Sequence, residues 1–199
     1  VSDMRALELL TPAQLELRRE LIEAADLLVT DANLAPSSLA WLCDNAQCPI
    51  LFDPVSTAKA KRVLPIIGSI DVLKCNILEA AKILGIEPEG TADVASTARR
   101  LHDLGAKTVI VTAGEAGAFW VQGSNEGHVP AFRVGVVNAT GAGDAFSAGI
   151  AYSRLAGAPM GEAVRFASAI AALTLMAEET VSRQVSLEAI DYIMKAGAS

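Results

Sequence analysis

Apolar and polar positions along this chain alternate between two periods. Short aliphatic runs over residues 26–30, 49–53, 71–74 and 107–112 read as strands, stopped by turns or breakers such as Asp31-Ala32-Asn33 and Pro54. Between them lie segments with one apolar face, which read as helices. Thr11-Pro12 opens the first, with Leu15, Leu17, Leu21 and Ile22 on its apolar side and Glu16, Arg18, Arg19, Glu20 and Glu23 on a solvated one. Residues 1–10 are mixed and read as a loop. Pro36-Ser37-Ser38 starts a helix running to about Asn45, and residues 56–63 read as another, with Lys59, Lys61 and Arg62 outward. Residues 77–84 form a helix closed by Gly85, and 91–104 one closed by Gly105. Gly114 and Gly117 turn the 107–112 strand into a hairpin partner over 118–121, with Trp120 as packing and a polar tip at 123–127. Residues 129–137 give one or two further strands, and 145–155, 161–176 and 187–194 are helical. Strands alternating with helices predict an α/β fold with right-handed crossovers: a mainly parallel sheet covered on both faces, with an antiparallel edge from the hairpin. No repeat or linker interrupts the pattern, so one domain is expected.

Composition sharpens this picture in a few respects. At 199 residues, 52% hydrophobic and 20% charged, the chain has the material for a globular core. A net charge of −7 argues against a nucleic-acid binder, which needs a basic face. No apolar stretch approaches the ~20 residues of a membrane span. The three cysteines, Cys43, Cys48 and Cys75, have no C-x-x-C spacing, and only His102 and His128 stand beside them, so zinc is not expected. An odd cysteine count without a secretory signal points to a reducing, cytoplasmic setting.

The candidate chemistry gathers at Asn138-Ala139-Thr140-Gly141-Ala142-Gly143-Asp144, where small residues follow the run 134–137 and open a helix. The N–H groups of Gly141, Ala142 and Gly143 at a helix start can converge on an anion, reinforced by the helix dipole. A carboxylate repels that anion. Asp144 therefore makes sense against the group that attacks it, taking the proton of an alcohol during phosphoryl transfer. The plainer alternative is a tight turn with Asp144 as a helix cap. The run is neither a Walker loop, for want of Gly-Lys-Ser/Thr, nor a Rossmann fingerprint, for want of the third glycine. Asn76 and Glu79, three apart at a helix start, are either a capping box or an amide and carboxylate that order water around a magnesium ion held mainly by phosphates. Asp53, at a strand's C-terminal end, is either a loop cap or part of the ligand edge of an α/β sheet.

The stretch from Asn138 to Asp144, with Ala145-Phe146 after it, resembles the C-terminal signature of the ribokinase-like (PfkB) carbohydrate and nucleoside kinases, whose usual first residue is Asp where this chain has Asn138. Asn76-Ile77-Leu78-Glu79-Ala80 resembles the family's N-x-x-E element, and Thr112-Ala113-Gly114-Glu115-Ala116-Gly117 the turn at its nucleotide site, in the family's order. Phe52-Asp53-Pro54-Val55-Ser56 and Val137-Asn138-Ala139-Thr140-Gly141 look most like the members acting on pseudouridine.

The resemblance implies a ribokinase-like three-layer α/β/α sandwich. It implies ATP and Mg2+, and transfer of the γ-phosphoryl group to the 5′-hydroxyl of pseudouridine. Ribose, fructose and adenosine are the other acceptors it leaves open, and a nucleotide-binding chain without catalysis is the alternative of a different class. Asp144 would be the base and the amides of Gly141, Ala142 and Gly143 the anion hole, with Thr140 fixing their loop. Thr112 and Gly114 would line the nucleotide's phosphate path, Gly117 would shape the turn, and Asn76 and Glu79 would organise magnesium and phosphates. The small residues of 166–174 would wall the adenine. A monovalent cation such as K+ beside the signature loop is common in the family. The implied partners are small, a nucleoside or sugar and ATP, with neither nucleic acid nor membrane. A homodimer through the family's lid is implied for a full-length protein. The Gly-Gly substrate motif and β-lid with which members begin do not appear in this stretch, and Ser2-Asp3-Met4 resembles the segment after the lid. The chain is thus expected to be the C-terminal part of a kinase, weak or inactive alone.

Overall fold

Proline, glycine and short apolar runs set most element boundaries in the computed structural model, which describes residues 5–87, 94–182 and 185–197. Short helices Arg5–Glu8 (α1), Pro12–Glu16 (α2) and Arg19–Glu23 (α3) precede strand Leu28–Asp31 (β1). Helix Pro36–Asn45 (α4) carries its proline in the first turn, where no N–H is needed. Strand Ile50–Asp53 (β2), a 3-10 helix Ala60–Ser69, strand Val72–Asn76 (β3) and helix Ile77–Leu84 (α5) follow. Next come helix Val94–Asp103 (α6) and strands Thr108–Thr112 (β4), Ala118–Gln122 (β5) and Asn125–Val129 (β6). Helices Ala142–Leu155 (α7), Met160–Leu175 (α8) and Leu187–Ala196 (α9) complete the chain.

The strands form one six-stranded sheet in chain order. β2 pairs in parallel with both β1 and β3, placing Phe52 between Thr30 and Leu73, as the α/β reading requires. β2 is buried along its whole length and β3 in all but its last residue, the pattern of strands covered on both faces. β5 and β6 are joined by Gly123 and Ser124 alone, a link that only antiparallel neighbours can use.

Two compact units make up the chain. One holds the described residues up to Val111 with Val121–Asn125; the other holds Thr112–Trp120 and the described residues from Glu126 onward. The core of the first includes Leu39, Leu51, Phe52, Val63, Leu73 and Leu101, all fully buried. In the second, α7 and α8 pack so closely that a Cβ on Gly149 would stand 2.7 Å from the Ala167 Cα. Ile190 and Ile193 of α9 pack on Ala169, Ala172 and Leu173 of α8, and Phe132 and Val134 close this cluster. Trp120 packs over Gly127, where an added Cβ would meet its ring at 2.7 Å.

Several expected ranges are corrected. The first helix breaks into α2 and α3, and Leu17 and Leu21 of its apolar side are 67% and 71% exposed. Its solvated side holds, with Arg19 paired to Glu16 at 2.7 Å and to Glu23 at 3.0 Å. The loop expected over 1–10 contains the helical turn α1; residues 1–4, and the 91–93 start of the expected helix 91–104, lie outside the described residues. The helix expected over 56–63 is a 3-10 helix displaced to Ala60–Ser69, where Pro65 has no N–H to give an α-helical ladder. The strands expected over 129–137 end with β6 at Val129. Pro130 follows, and the N–H groups of Val137 and Asn138 donate to Leu175 O at 2.8 and 3.2 Å, not to a strand. The polar tip narrows to Gly123 and Ser124, because Asn125 already belongs to β6. None of the three cysteines forms a disulfide among the described residues; Cys75 is buried, and Cys43 and Cys48 are half-buried.

Candidate active site

In the second unit, the segment ahead of α7 is tethered by Asn138. Its Oδ1 accepts from the Thr140 N–H at 2.9 Å, which turns its Nδ2 to donate to Glu178 O at 3.0 Å. With the two bonds to Leu175 O, this ties the signature loop to the end of α8 and the residues beyond. Gly141 then takes the N-cap position of α7 with φ 88°, and a Cβ there would lie 2.3 Å from Thr180 O. Both facts require glycine. The helix ladder begins with Ala145 N–H to Gly141 O at 2.9 Å. Ala142 and Gly143 therefore have N–H groups with no ladder partner, at the positive end of the helix. The cap position is Gly141's, so Asp144 is not the helix cap. It sits exposed in the first turn and lines an opening of about 380 Å³ with Thr140, Gly141, Thr180 and Ser182.

The same first turn of α7 borders a second cleft, of about 290 Å³, lined by Thr112, Gly114 and Gly117 after β4, by Ala142 and Gly143, and by small residues of α8 such as Ala171. The turn after β4 is closed by Ala113 N–H to Gly117 O at 2.8 Å and Gly117 N–H to Gly114 O at 3.0 Å. A Cβ on Gly117 would meet Val129 O at 2.1 Å. His128, which entered the sequence reading only where zinc was set aside, bonds Ala116 O at 2.6 Å and stacks on Phe119 at 4.2 Å, bracing this turn. The second unit thus brings Thr112, Gly114, Gly117, Ala142 and Gly143 to one cleft, and Thr140, Gly141 and Asp144 to another opening at the start of the same helix.

Asn76 and Glu79 belong to the first unit, where they form a capping box on α5. Asn76 Oδ1 accepts from the N–H groups of Leu78 at 3.0 Å and Glu79 at 2.9 Å, and Glu79 Oε2 accepts from the Asn76 N–H at 2.9 Å. Burial raises the Glu79 carboxyl above the usual carboxylate range; nearby Asp53 adds to this, while the Asn76 N–H and Lys74 oppose it. Asp53 ends β2 and caps the following loop through Val55 N–H at 3.1 Å, but its other oxygen takes Lys74 Nζ at 2.8 Å in a buried ion pair. Sequence reading missed Lys74. The signal was there: a single lysine inside an apolar strand, one position past the Phe52–Leu73 pair. Among the described residues no group of three or more His, Cys, Asp or Glu side chains gathers into a metal cage.

The family model for pfkB carbohydrate kinases matches residues 4–185. The pseudouridine kinase of Escherichia coli is 35% identical over 189 residues, which are 94% of this chain and 60% of that protein. A deoxyribokinase of Salmonella typhi is 39% identical over 108 residues, 54% of this chain and 35% of that one. The solved structure of a carbohydrate kinase from Agrobacterium tumefaciens agrees with a TM-score of 0.83 at 28% identity, covering 98% of this chain and 63% of its own, in line with the expected three-layer sandwich. The chain therefore spans less than two thirds of the length of these relatives. The family match runs over residues 4–185, and the chain belongs to the PfkB family of carbohydrate kinases.

Proposed function

We propose that the protein transfers the γ-phosphoryl group of ATP to an alcohol, with the 5′-hydroxyl of pseudouridine as acceptor. The observation that carries this reading is the start of α7, where Gly141 caps the helix, small residues leave amides without ladder partners, and an exposed carboxylate stands in the same turn. In the proposed step the acceptor hydroxyl gives its proton to Asp144 and its oxygen attacks the γ-phosphorus. The bond to the β–γ bridging oxygen breaks, and ADP leaves. The amides of Gly141, Ala142 and Gly143 stabilise charge on the group in transit. A positioned base of this kind contributes roughly 10²–10⁴-fold. Magnesium, bound with the nucleotide, would supply neutralisation of phosphate charge. For Asn76 and Glu79 the capping box accounts for both side chains, and a metal role rests on the family resemblance alone. The same holds for a monovalent cation at the signature loop.

Pseudouridine is favoured as acceptor because the likeness to the E. coli pseudouridine kinase runs along 94% of the chain. The higher identity to a deoxyribokinase over 108 residues supports a pentose as the second reading. The test offers pseudouridine, ribose, 2-deoxyribose, fructose and adenosine, with ATP, to an active protein that contains this chain. The proposal expects the highest kcat/KM for pseudouridine. Preference for a free pentose replaces the acceptor, and ATP binding without transfer to any of them leaves a nucleotide-binding chain.

A further inference from the structure

We infer that Asn138 by itself closes the joint between the signature loop and the segment after α8, so that this loop needs no monovalent cation, and that aspartate at position 138 would create the need. A monovalent cation is held where several oxygens converge in place of its water. At this joint the oxygens meet N–H groups instead. Leu175 O receives the N–H groups of Val137 at 2.8 Å and Asn138 at 3.2 Å, one for each of its lone pairs. Thr174 O, beside it in the chain, takes the Ala177 N–H at 3.1 Å. Glu178 O receives the Asn138 Nδ2 at 3.0 Å, so the amide fills the place against that oxygen that an ion would need. Thr180 O packs directly on Gly141, where a Cβ would stand 2.3 Å from it. The side-chain oxygen, Asn138 Oδ1, accepts from the Thr140 N–H at 2.9 Å. This donor set does not fit the cation that the family resemblance implies.

The orientation of the amide decides the matter. The Thr140 N–H requires an oxygen, which leaves the nitrogen for Glu178 O, and that carbonyl requires a donor. An aspartate keeps the first bond and loses the second. Its other oxygen would face Glu178 O as one acceptor against another, an arrangement that a cation relieves by attracting both. The residue type at position 138 thus sets whether hydrogen bonds or an ion tie the loop down. How the loop is held is independent of the phosphoryl chemistry proposed above.

Thermal unfolding followed by circular dichroism, in KCl and in tetramethylammonium chloride at one ionic strength, tests this on the parent, Asn138→Asp and Asn138→Ala. Equal ionic strength removes screening from the comparison. The parent is expected to melt at the same temperature in both salts. Asn138→Asp is expected to melt roughly 3–10 °C below the parent in tetramethylammonium chloride, for one hydrogen bond lost and an acceptor left unsatisfied, and to regain much of that in KCl. Asn138→Ala removes both bonds without adding a charge, and its loss should be equal in the two salts. A parent whose melting temperature climbs along a saturating curve as K+ replaces tetramethylammonium overturns the inference, because the loop then binds the ion with Asn138 in place. An Asn138→Asp protein that melts alike in both salts overturns it too, as does an Asn138→Ala protein that gains as much from K+ as Asn138→Asp. None of these measurements needs turnover, so failure of the kinase reading would leave their outcome standing.

Discussion

Lys74 and Asp53 give the sharpest test of how the sheet's C-terminal end is held together in the first unit. Their side chains are 5% and 8% exposed and meet at 2.8 Å. Lys74→Met keeps the length and apolar stem of the side chain but leaves Asp53 buried without this cation. Removing one partner of a buried pair costs about 3–5 kcal/mol, much of it the uncompensated charge that remains. Asp53 keeps its bond to the Val55 N–H, so the lower part of that range is expected at neutral pH. Adding Asp53→Asn removes the stranded charge while keeping an acceptor for Val55. The double variant should therefore recover much of the loss, with a coupling of about 1–3 kcal/mol. Urea unfolding followed by circular dichroism measures all three proteins. A Lys74→Met loss below about 1 kcal/mol, or a double variant no better than the single, refutes the claim that this pair is a buried, mutually dependent unit.

Other expectations follow from single contacts. Gly141→Ala forces a side chain into the left-handed region and onto Thr180 O; about 1–2 kcal/mol for the backbone and 1–3 for the overlap predict a loss of roughly 2–5 kcal/mol in urea unfolding, together with weaker ATP binding. Glu79→Gln keeps an acceptor for the Asn76 N–H while removing a carboxyl whose pKa burial has raised. Relative to that variant, the parent's stability should be greatest below the unfolded carboxyl pKa of about 4.3 and decline as pH rises through the higher folded value; a parent that gains on the variant with rising pH contradicts the assigned cause.

Much of this architecture is legible in the residues because its signals are local. Pro36 and Gly85 mark the start of α4 and the end of α5, and the expected bounds match. The apolar runs of β2, β3 and β4 need no tertiary information to read as buried strands. What escaped is non-local. Residues 129–137 have strand-like composition, yet Val137 and Asn138 find their acceptor on Leu175, nearly forty positions along the chain. Pro65 decides the geometry of a helix whose charges suggested an earlier start. The glycines of the signature loop were visible, but not that Gly141 is fixed by the carbonyl of Thr180. Lys74 was missed because only the parallel register sets it beside Asp53. The motif residues of the second unit could be named in advance, whereas their division between two openings on one helix start could not.

The central claim is that Asp144 receives the acceptor's proton while the start of α7 holds the phosphoryl group. The most direct measurement compares Asp144→Asn with the parent in an active protein that contains this chain, following single-turnover phosphoryl transfer and ATP binding side by side. The account predicts transfer slower by about 10²–10⁴-fold with ATP affinity nearly unchanged. Transfer at close to the parental rate, with the variant folded and ATP bound, contradicts it.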